Sequence, residues 1–410
     1  MSEARPRPGV QLGASESRAG AQLDEVVRRL LDVVSDMSPE NLPAVLVQEA
    51  AVAGVPGVVV YLQDFDHRLL LPLTGSAGGA GLSAEPVEGS APGDAFRSDA
   101  LVVCPESGGS RVFVPLRDGG ERVGILALTL PGVAGRDVPE PAVWRLSRLV
   151  ASLLVVKGAY SDAFFFARRR KPMALAAEMQ WQLLPPLTLQ SPRVSIAGML
   201  APAYEVGGDS FDYALQDGVL HFAIFDAMGH GLRASILATA VVSAYRHARR
   251  GRVGLRDKYA LADDVVREQF GGEHFVTAQM ADLDVNGGVL RWVNAGHPRP
   301  LLVRHGRVVR SLRSDTTLPI GLAGETPQVS EEELQPGDRL VFFTDGVIEE
   351  RTPDGGQLGL PGFGAFLERV QRPRLPVAET VRQLSLELTA GWNSGSPRDD
   401  VTIVLLEWHP

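Results

Sequence analysis

Apolar positions first become regular at Leu23, where Leu23, Val26, Val27, Leu30, Leu31 and Val34 fall on one face at helical spacing. Ser38-Pro39-Glu40 supplies a capping serine with proline at the first helical position, and predicts a second helix through Ala44 to Ala53. Gly57 to Leu62 and Arg68 to Leu73 read as a strand pair around Asp64-Phe65-Asp66, followed by a Gly/Ser/Ala-rich loop from Thr74 to Gly93. Val112 to Leu116 and Val123 to Leu130 form a hairpin turned at Asp118-Gly119-Gly120. From Glu140 to Leu184 the pattern is helical with one interruption, near Gly158-Ala159-Tyr160, until Pro185-Pro186 stop it.

Beyond Pro186 the period shortens to two. Val194 to Leu200 is a strand, and Ser210 to Leu215 and Val219 to Phe225 form a hairpin turned at Gln216-Asp217-Gly218. Ala234 to Ala248 is an Ala-rich helix, closed by Arg249-Arg250-Gly251, and Asp257 to Phe270 is another. Hairpins follow at Phe275 to Asp284 with Val289 to Asn294, and at Leu301 to Arg304 with Arg307 to Arg310. Asp338 to Thr344 is a strand, Gly364 to Val370 and Val377 to Ala390 are helices, and Asp400 to Glu407 is the last strand. Antiparallel pairs with helices in separate blocks predict an α+β domain whose helices cover a two-sheet core.

Composition narrows the class. A chain of 410 residues exceeds one ordinary core, and 45% hydrophobic with 22% charged residues is the content of a folded globular protein. The net charge of -9 argues against a nucleic-acid or anionic-membrane partner and favours cationic ligands, divalent metals among them. One cysteine, Cys104, excludes an internal disulfide and any Cys-rich zinc site; it reads as a small buried hydrophobe. With no signal-peptide core and no aliphatic run longer than Leu149 to Val156, the expected location is cytoplasmic. Residues 1–20 are expected to lack fixed structure, and the run Arg168-Arg169-Arg170-Lys171 to be a solvated helix face.

Four acids share one design, an aspartate at the edge of an apolar strand: Asp209 after Gly207-Gly208, Asp226 before Ala227-Met228-Gly229, Asp345 before Gly346, and Asp399 after Ser396-Pro397-Arg398. The 210–225 hairpin brings Asp209 and Asp226 together, and paired carboxylates resist ionising unless a cation sits between them. An Asp before Gly is ordinarily a turn residue; four in this arrangement point to a water-rich centre for hard cations such as Mg²⁺ or Mn²⁺, with zinc a poorer fit.

Residues 174–407 resemble the PPM-type metal-dependent protein serine/threonine phosphatases, in the stage II sporulation E-like branch, through AAEMQWQLLPP, EVGGDSFDY, FDAMGHG, FVTAQMADLD, WVNAGHPRPLL, PIGL, FFTDGV and DDVTIVLL. The resemblance implies a four-layer αββα phosphatase domain with two Mn²⁺ or Mg²⁺ ions. Asp226 and the carbonyl of Ala227 would bridge the ions, Asp209 would hold one, and Asp345 and Asp399 the other. Asp212, His230, His297 and Asp400 are supporting candidates, with His230 and His297 read as oriented hydrogen-bonders. Asp-Ala-Met-Gly-His-Gly departs from the usual Asp-Val-Ser-Gly-His-Gly, a change a carbonyl ligand tolerates.

The first half resembles a GAF-type sensor domain in element order and in VFVPLRDGGERVGILAL, implying an unknown small ligand. The expected plan is a disordered segment over 1–20, a sensor domain over 21–135, a linker helix over 136–186 that offers a homodimer surface, and a phosphatase domain over 187–410. The implied substrate is a separate phosphorylated regulatory protein of the anti-sigma factor antagonist type. A non-catalytic scaffold using the same fold, or a dinuclear phosphohydrolase acting on nucleotides, are the alternatives.

Overall fold

The computed structural model describes residues 18–74, 82–205, 207–350, 356–371, 375–390 and 400–409. The chain divides into two compact units, one of Met1–Leu62, Leu70–Asp118 and Val123–Ala167, the other of Gln63–Leu69, Gly119–Arg122 and Arg168–Pro410.

In the first unit the elements are α1 (Arg18–Val33), α2 (Leu42–Val52), β1 (Gly57–Gln63), β2 (Leu69–Pro72), β3 (Glu85–Pro86), α3 (Ala91–Ser98), β4 (Val102–Glu106), β5 (Gly109–Asp118), β6 (Glu121–Pro131), α4 (Glu140–Gly158) and α5 (Ala163–Ala167). Helix α1 already begins at Arg18, inside the segment expected to lack structure. The strands form one sheet in the order β3-β2-β1-β6-β5-β4. Apolar residues of α1, α2 and α4 share a core with Val58, Val60, Val112, Val114, Leu126 and Leu128. The alternate strand positions Tyr61, Phe113, Ile125 and Ala127 pack with Ala95 and Phe96 of α3. Part of the expected loop is therefore ordered, with β3 and the first turn of α3 inside it, where Ser90 caps α3 by accepting from the Gly93 N–H. Residues 75–81 of that loop lie outside the described residues. Cys104 sits on β4, which the periodicity missed, and is half-buried.

The helix expected from Glu140 to Leu184 is three helices, the third being α6 (Leu175–Leu183). Pro172 lacks the N–H a helix needs, and the segment before it is held from outside, the Arg170 N–H donating to Tyr204 Oη at 3.0 Å. The basic run is consequently not a helix face: Arg169 pairs with Glu178 at 2.6 Å and Lys171 with Glu205 at 3.3 Å.

The second unit continues with β7 (Thr188–Gln190), β8 (Val194–Ala201), β9 (Asp209–Gln216), β10 (Val219–Ala227), α7 (Leu232–Arg250), α8 (Leu255–Phe270), β11 (Val276–Asp284), β12 (Val289–Ala295), β13 (Leu301–Arg304), β14 (Arg307–Ser311), β15 (Thr316–Thr317), β16 (Ser330–Glu333), β17 (Arg339–Phe343), α9 (Asp345–Glu349), α10 (Gly359–Gln371), α11 (Val377–Ala390) and β18 (Val401–Trp408). One sheet runs β15-β12-β11-β10-β9, with β16 also on β12; the other runs β14-β13-β17-β18-β8-β7. All pairs are antiparallel except the short β12–β15 contact.

Alternation along the strands assigns their faces. Phe211, Leu220, Phe222, Ile224, Ala281 and Trp292 of the first sheet pack with Ile196, Phe342, Val404 and Leu406 of the second. The intervening positions Ala223, Phe225, Ala278 and Met280 pack under α7 and α8, while Ala197, Met199, Val341 and Ile403 pack under α10 and α11. The result is the expected αββα layering, two sheets face to face with helices on both outer sides.

Candidate active site

The β9–β10 hairpin sets the site's register. Its two-residue turn, Asp217-Gly218, has φ of 51° and 79°, the left-handed pair that tight hairpins require. Counting back from Gln216 opposite Val219 places Asp226 directly opposite Asp209. Both lie on the face shared with Phe211, Phe222 and Ile224, between the sheets and at their open end.

Three contacts tie this pair to elements far away in sequence. Thr344, which directly precedes Asp345 and is fully buried, donates from Oγ1 to Asp209 Oδ2 at 2.7 Å. Asp400 Oδ2 accepts from the backbone N–H groups of Gly207, Gly208 and Asp209 at 2.8, 2.7 and 3.4 Å, a ring of successive amides of the kind that holds anions. On the helix side, the buried Gln180 of α6 donates its amide to the Asp209 carbonyl. The Gly-Gly pair is sterically required: a Cβ on Gly207 would lie 2.2 Å from Gly231 N, and one on Gly208 2.8 Å from the Ala227 carbonyl oxygen. Gly346 is equally constrained, since its Cβ would meet the Asp400 carbonyl oxygen at 2.0 Å.

Asp209, Asp226, Asp345 and Asp400 therefore belong to one end of the two-sheet core, with the Ala227 carbonyl facing the Gly208 turn. Asp399 lies outside the described residues, immediately before Asp400. Among the described residues no three His, Cys, Asp or Glu side chains close into a finished ligand set. Electrostatically the centre is unbalanced. Burial first, then the charges of Asp226 and Asp400, push the Asp209 carboxyl well above the usual carboxylate range, and the hydroxyls of Thr344 and Thr402 offset this only in part.

The supporting candidates separate. His297 is buried, and its Nδ1 lies 2.8 Å from Thr277 Oγ1, which is 3.4 Å from Asp226 Oδ2; Thr277 is the residue opposite Asp226 on β11. Burial holds the His297 imidazole down to about 3, so at neutral pH the ring is uncharged. Asn294 holds its loop from both sides, donating to the His297 carbonyl at 3.0 Å and accepting its N–H at 2.9 Å. His230, by contrast, is exposed in the turn after β10, not a buried hydrogen-bonder.

Asp212 is a second correction. Its position on β9 has the opposite parity to Asp209, so it faces α7, where Arg246 holds it at 2.6 Å and Arg249 also pairs with it. Asp400 has a different role from a direct ligand through Oδ2, which is engaged by the turn. Thr344, Thr277 and Gln180 escaped the sequence reading. They stand beside or within the phrases that carried the resemblance, but nothing in their spacing marks hydroxyls or an amide as partners of an acid so distant in sequence.

Residues 216–409 match the family model described as Stage II sporulation protein E (SpoIIE). Phosphoserine phosphatase RsbU of Bacillus subtilis (strain 168) is 23% identical over 210 residues, covering 50% of this chain and 59% of that protein. Phosphoserine phosphatase RsbP of the same organism is 24% identical over 165 residues, covering 38% and 40%. The chain thus spans less than two thirds of the length of these relatives. Of solved structures, the RsbU and RsbW domains of Rv1364c from Mycobacterium tuberculosis align with a TM-score of 0.49 at 24% identity, over 56% of this chain and 63% of that one.

Proposed function

We propose that this chain, whose residues 216–409 match the family model described as Stage II sporulation protein E, is a metal-dependent protein serine/threonine phosphatase that hydrolyses phosphoserine or phosphothreonine on a separate regulatory protein. The observation that carries the reading is the directly opposed pair Asp209 and Asp226, closed in by Thr344 beside Asp345 and by Asp400 beside Asp399.

The donor set fits hard divalent ions. A carboxyl driven above its ordinary range by burial, and then by neighbouring carboxylates, is stabilised by a cation, and oxygen donors without cysteine suit Mn²⁺ or Mg²⁺. Asp209, Asp226, Asp345 and Asp399, with the Ala227 carbonyl, are the groups that would hold two such ions. When bound, a pair of ions supplies the Lewis acidity that activates water and offsets the charge of the phosphoryl oxygens. The chain's own part is to fix these acids: Asp400 pins the Gly207-Gly208 turn, Thr344 orients the Asp209 side chain, and Gln180 holds the Asp209 carbonyl. His297, uncharged, supports Thr277 and is not the acid of the reaction.

Two relatives named phosphoserine phosphatase support the substrate class, and an anti-sigma factor antagonist is the kind of phosphoprotein the reading favours. The first unit is taken as a GAF-like sensor for a small ligand, and its control as entering through α6, whose Gln180 touches the Asp209 backbone. No helix among the described residues is long and apolar enough to cross a membrane, and the reading places the enzyme with its substrate in the cytoplasm.

The deciding assay is phosphate release from a phosphoserine protein, run beside a nucleotide, with Mn²⁺ and with excess chelator. Release from the phosphoprotein only, and only with Mn²⁺, is the expected result. Equal release in chelator, or preference for the nucleotide, refutes the reading.

A further inference from the structure

Thr344 closes the gap between the two sheets. It follows the last residue of β17 and precedes Asp345, and its backbone extends the β17–β18 pairing, the Thr344 N–H donating to the Thr402 carbonyl at 3.1 Å. The direction of its side-chain bonds is unambiguous. Thr344 Oγ1 accepts the Thr402 N–H at 3.0 Å, so its single proton is left for Asp209 Oδ2, 2.7 Å away. A hydroxyl whose one proton is directed to Oδ2 fixes the orientation of the Asp209 carboxyl. Asp209 belongs to the first sheet and Thr402 to the second. Two acids flank this clasp in sequence, Asp345 directly after Thr344 and Asp400 directly before β18.

We propose that Thr344 is a positioning residue for the metal centre: one hydroxyl orients the Asp209 carboxyl on the first sheet while anchored to the β17–β18 pairing of the second, next to Asp345 and Asp400 in sequence. The proposal rests on the phosphatase reading and adds to it the residue that makes Asp209's ligand geometry depend on the pairing of two strands more than 130 positions away. Its consequence is a division between two near-isosteric substitutions. Thr344→Ser keeps the donor, whereas Thr344→Val fills the same space and leaves Asp209 Oδ2 and the Thr402 N–H without it.

The test is Mn²⁺ binding by the full chain, measured calorimetrically alongside thermal unfolding with and without Mn²⁺. Thr344→Val is expected to weaken Mn²⁺ binding by about 10–100-fold, the usual effect of removing a group that orients a metal ligand. Thr344→Ser should stay within about threefold of the unsubstituted chain, on the same reasoning. Thr239→Val, which removes a hydroxyl that only bonds the Ser235 carbonyl within α7 at 2.7 Å, serves as the comparator and should leave the affinity unchanged. In phosphate-release assays Thr344→Val should raise the Mn²⁺ concentration needed for half-maximal rate more than it lowers the rate at saturating Mn²⁺. Mn²⁺ binding by Thr344→Val within twofold of the unsubstituted chain overturns the proposal while leaving the phosphatase reading standing. Equal losses in Thr344→Ser and Thr344→Val also overturn it. An unsubstituted chain that takes up no Mn²⁺ overturns both.

Discussion

Two acids on opposite faces of the first sheet, Asp209 buried and Asp282 half-buried, meet opposite electrostatic fates. Asp282, on the helix-covered side of β11, is gripped by Lys258 Nζ at 2.7 Å and faces His221 Nδ1 at 2.6 Å. Burial alone would raise its carboxyl, but those two partners outweigh it and hold the group below its ordinary range. Asp209, between the sheets, is surrounded by hydroxyls, backbone amides and other carboxylates, and its carboxyl is driven upward. An acid balanced by the chain's own cations serves the fold, and an acid left unbalanced calls for a cation from solution. Asp212, beside Asp209 on the same strand yet paired with Arg246 and Arg249, falls with Asp282.

That contrast breaks most sharply at Asp226. Asp226→Asn or Asp345→Asn should lower Mn²⁺-dependent phosphate release by about a thousandfold or more, the scale of several kcal/mol of lost charge stabilisation. A variant keeping a tenth of the activity would place the chemistry elsewhere. The balanced acid should behave in the opposite way. Asp212→Asn leaves two guanidinium groups facing a neutral amide, and should cost about 3–5 kcal/mol of stability in urea unfolding. The surviving folded fraction should bind Mn²⁺ as before, and a large loss of affinity there would erase the distinction between the faces.

Acidity sharpens the comparison further. Because the folded carboxyl of Asp209 is raised above its unfolded value, the metal-free fold binds a proton that the unfolded chain releases. The metal-free chain should therefore lose stability as pH climbs from the unfolded carboxylate range, about 3.9, through the raised value. An ion that displaces this proton stabilises more at higher pH. At a hundredfold excess over its dissociation constant Mn²⁺ should add about 2.7 kcal/mol near pH 7.5, and visibly less near pH 5.5; equal gains at both would contradict the placement of Asp209. The smallest effect is expected from Asp209→Asn without metal, which removes a carboxyl whose charged form burial and the neighbouring carboxylates disfavour, and should raise stability slightly at neutral pH. Calorimetric melting in chelator reads this directly, and a lower melting temperature would show the site to be already balanced.

Short-range chemistry was legible along the chain. The Asp217-Gly218 turn and the alternation on either side of it are enough to set Asp209 opposite Asp226 and on the core-facing side, because turn type fixes register and register fixes face. The same parity already separates Asp212 from Asp209, although the acidic pattern taken as a set hid it. Helix boundaries within 140–183 were less legible: the apolar period runs on, while the break depends on Pro172 and on a tyrosine from the turn after β8, Tyr204, that accepts the Arg170 N–H.

What residues 1–410 determine on their own is where hairpins turn, which side of each strand is apolar and which acids sit at strand ends, since each is decided by neighbours a few positions apart. The tertiary structure alone decided that Thr344 reaches Asp209, that Asp400 closes on the Gly207-Gly208 turn, and that Arg246 and Arg249 quench Asp212. Those contacts join strands and helices whose proximity comes from burying two sheets against each other, a global balance of apolar area that no local pattern encodes.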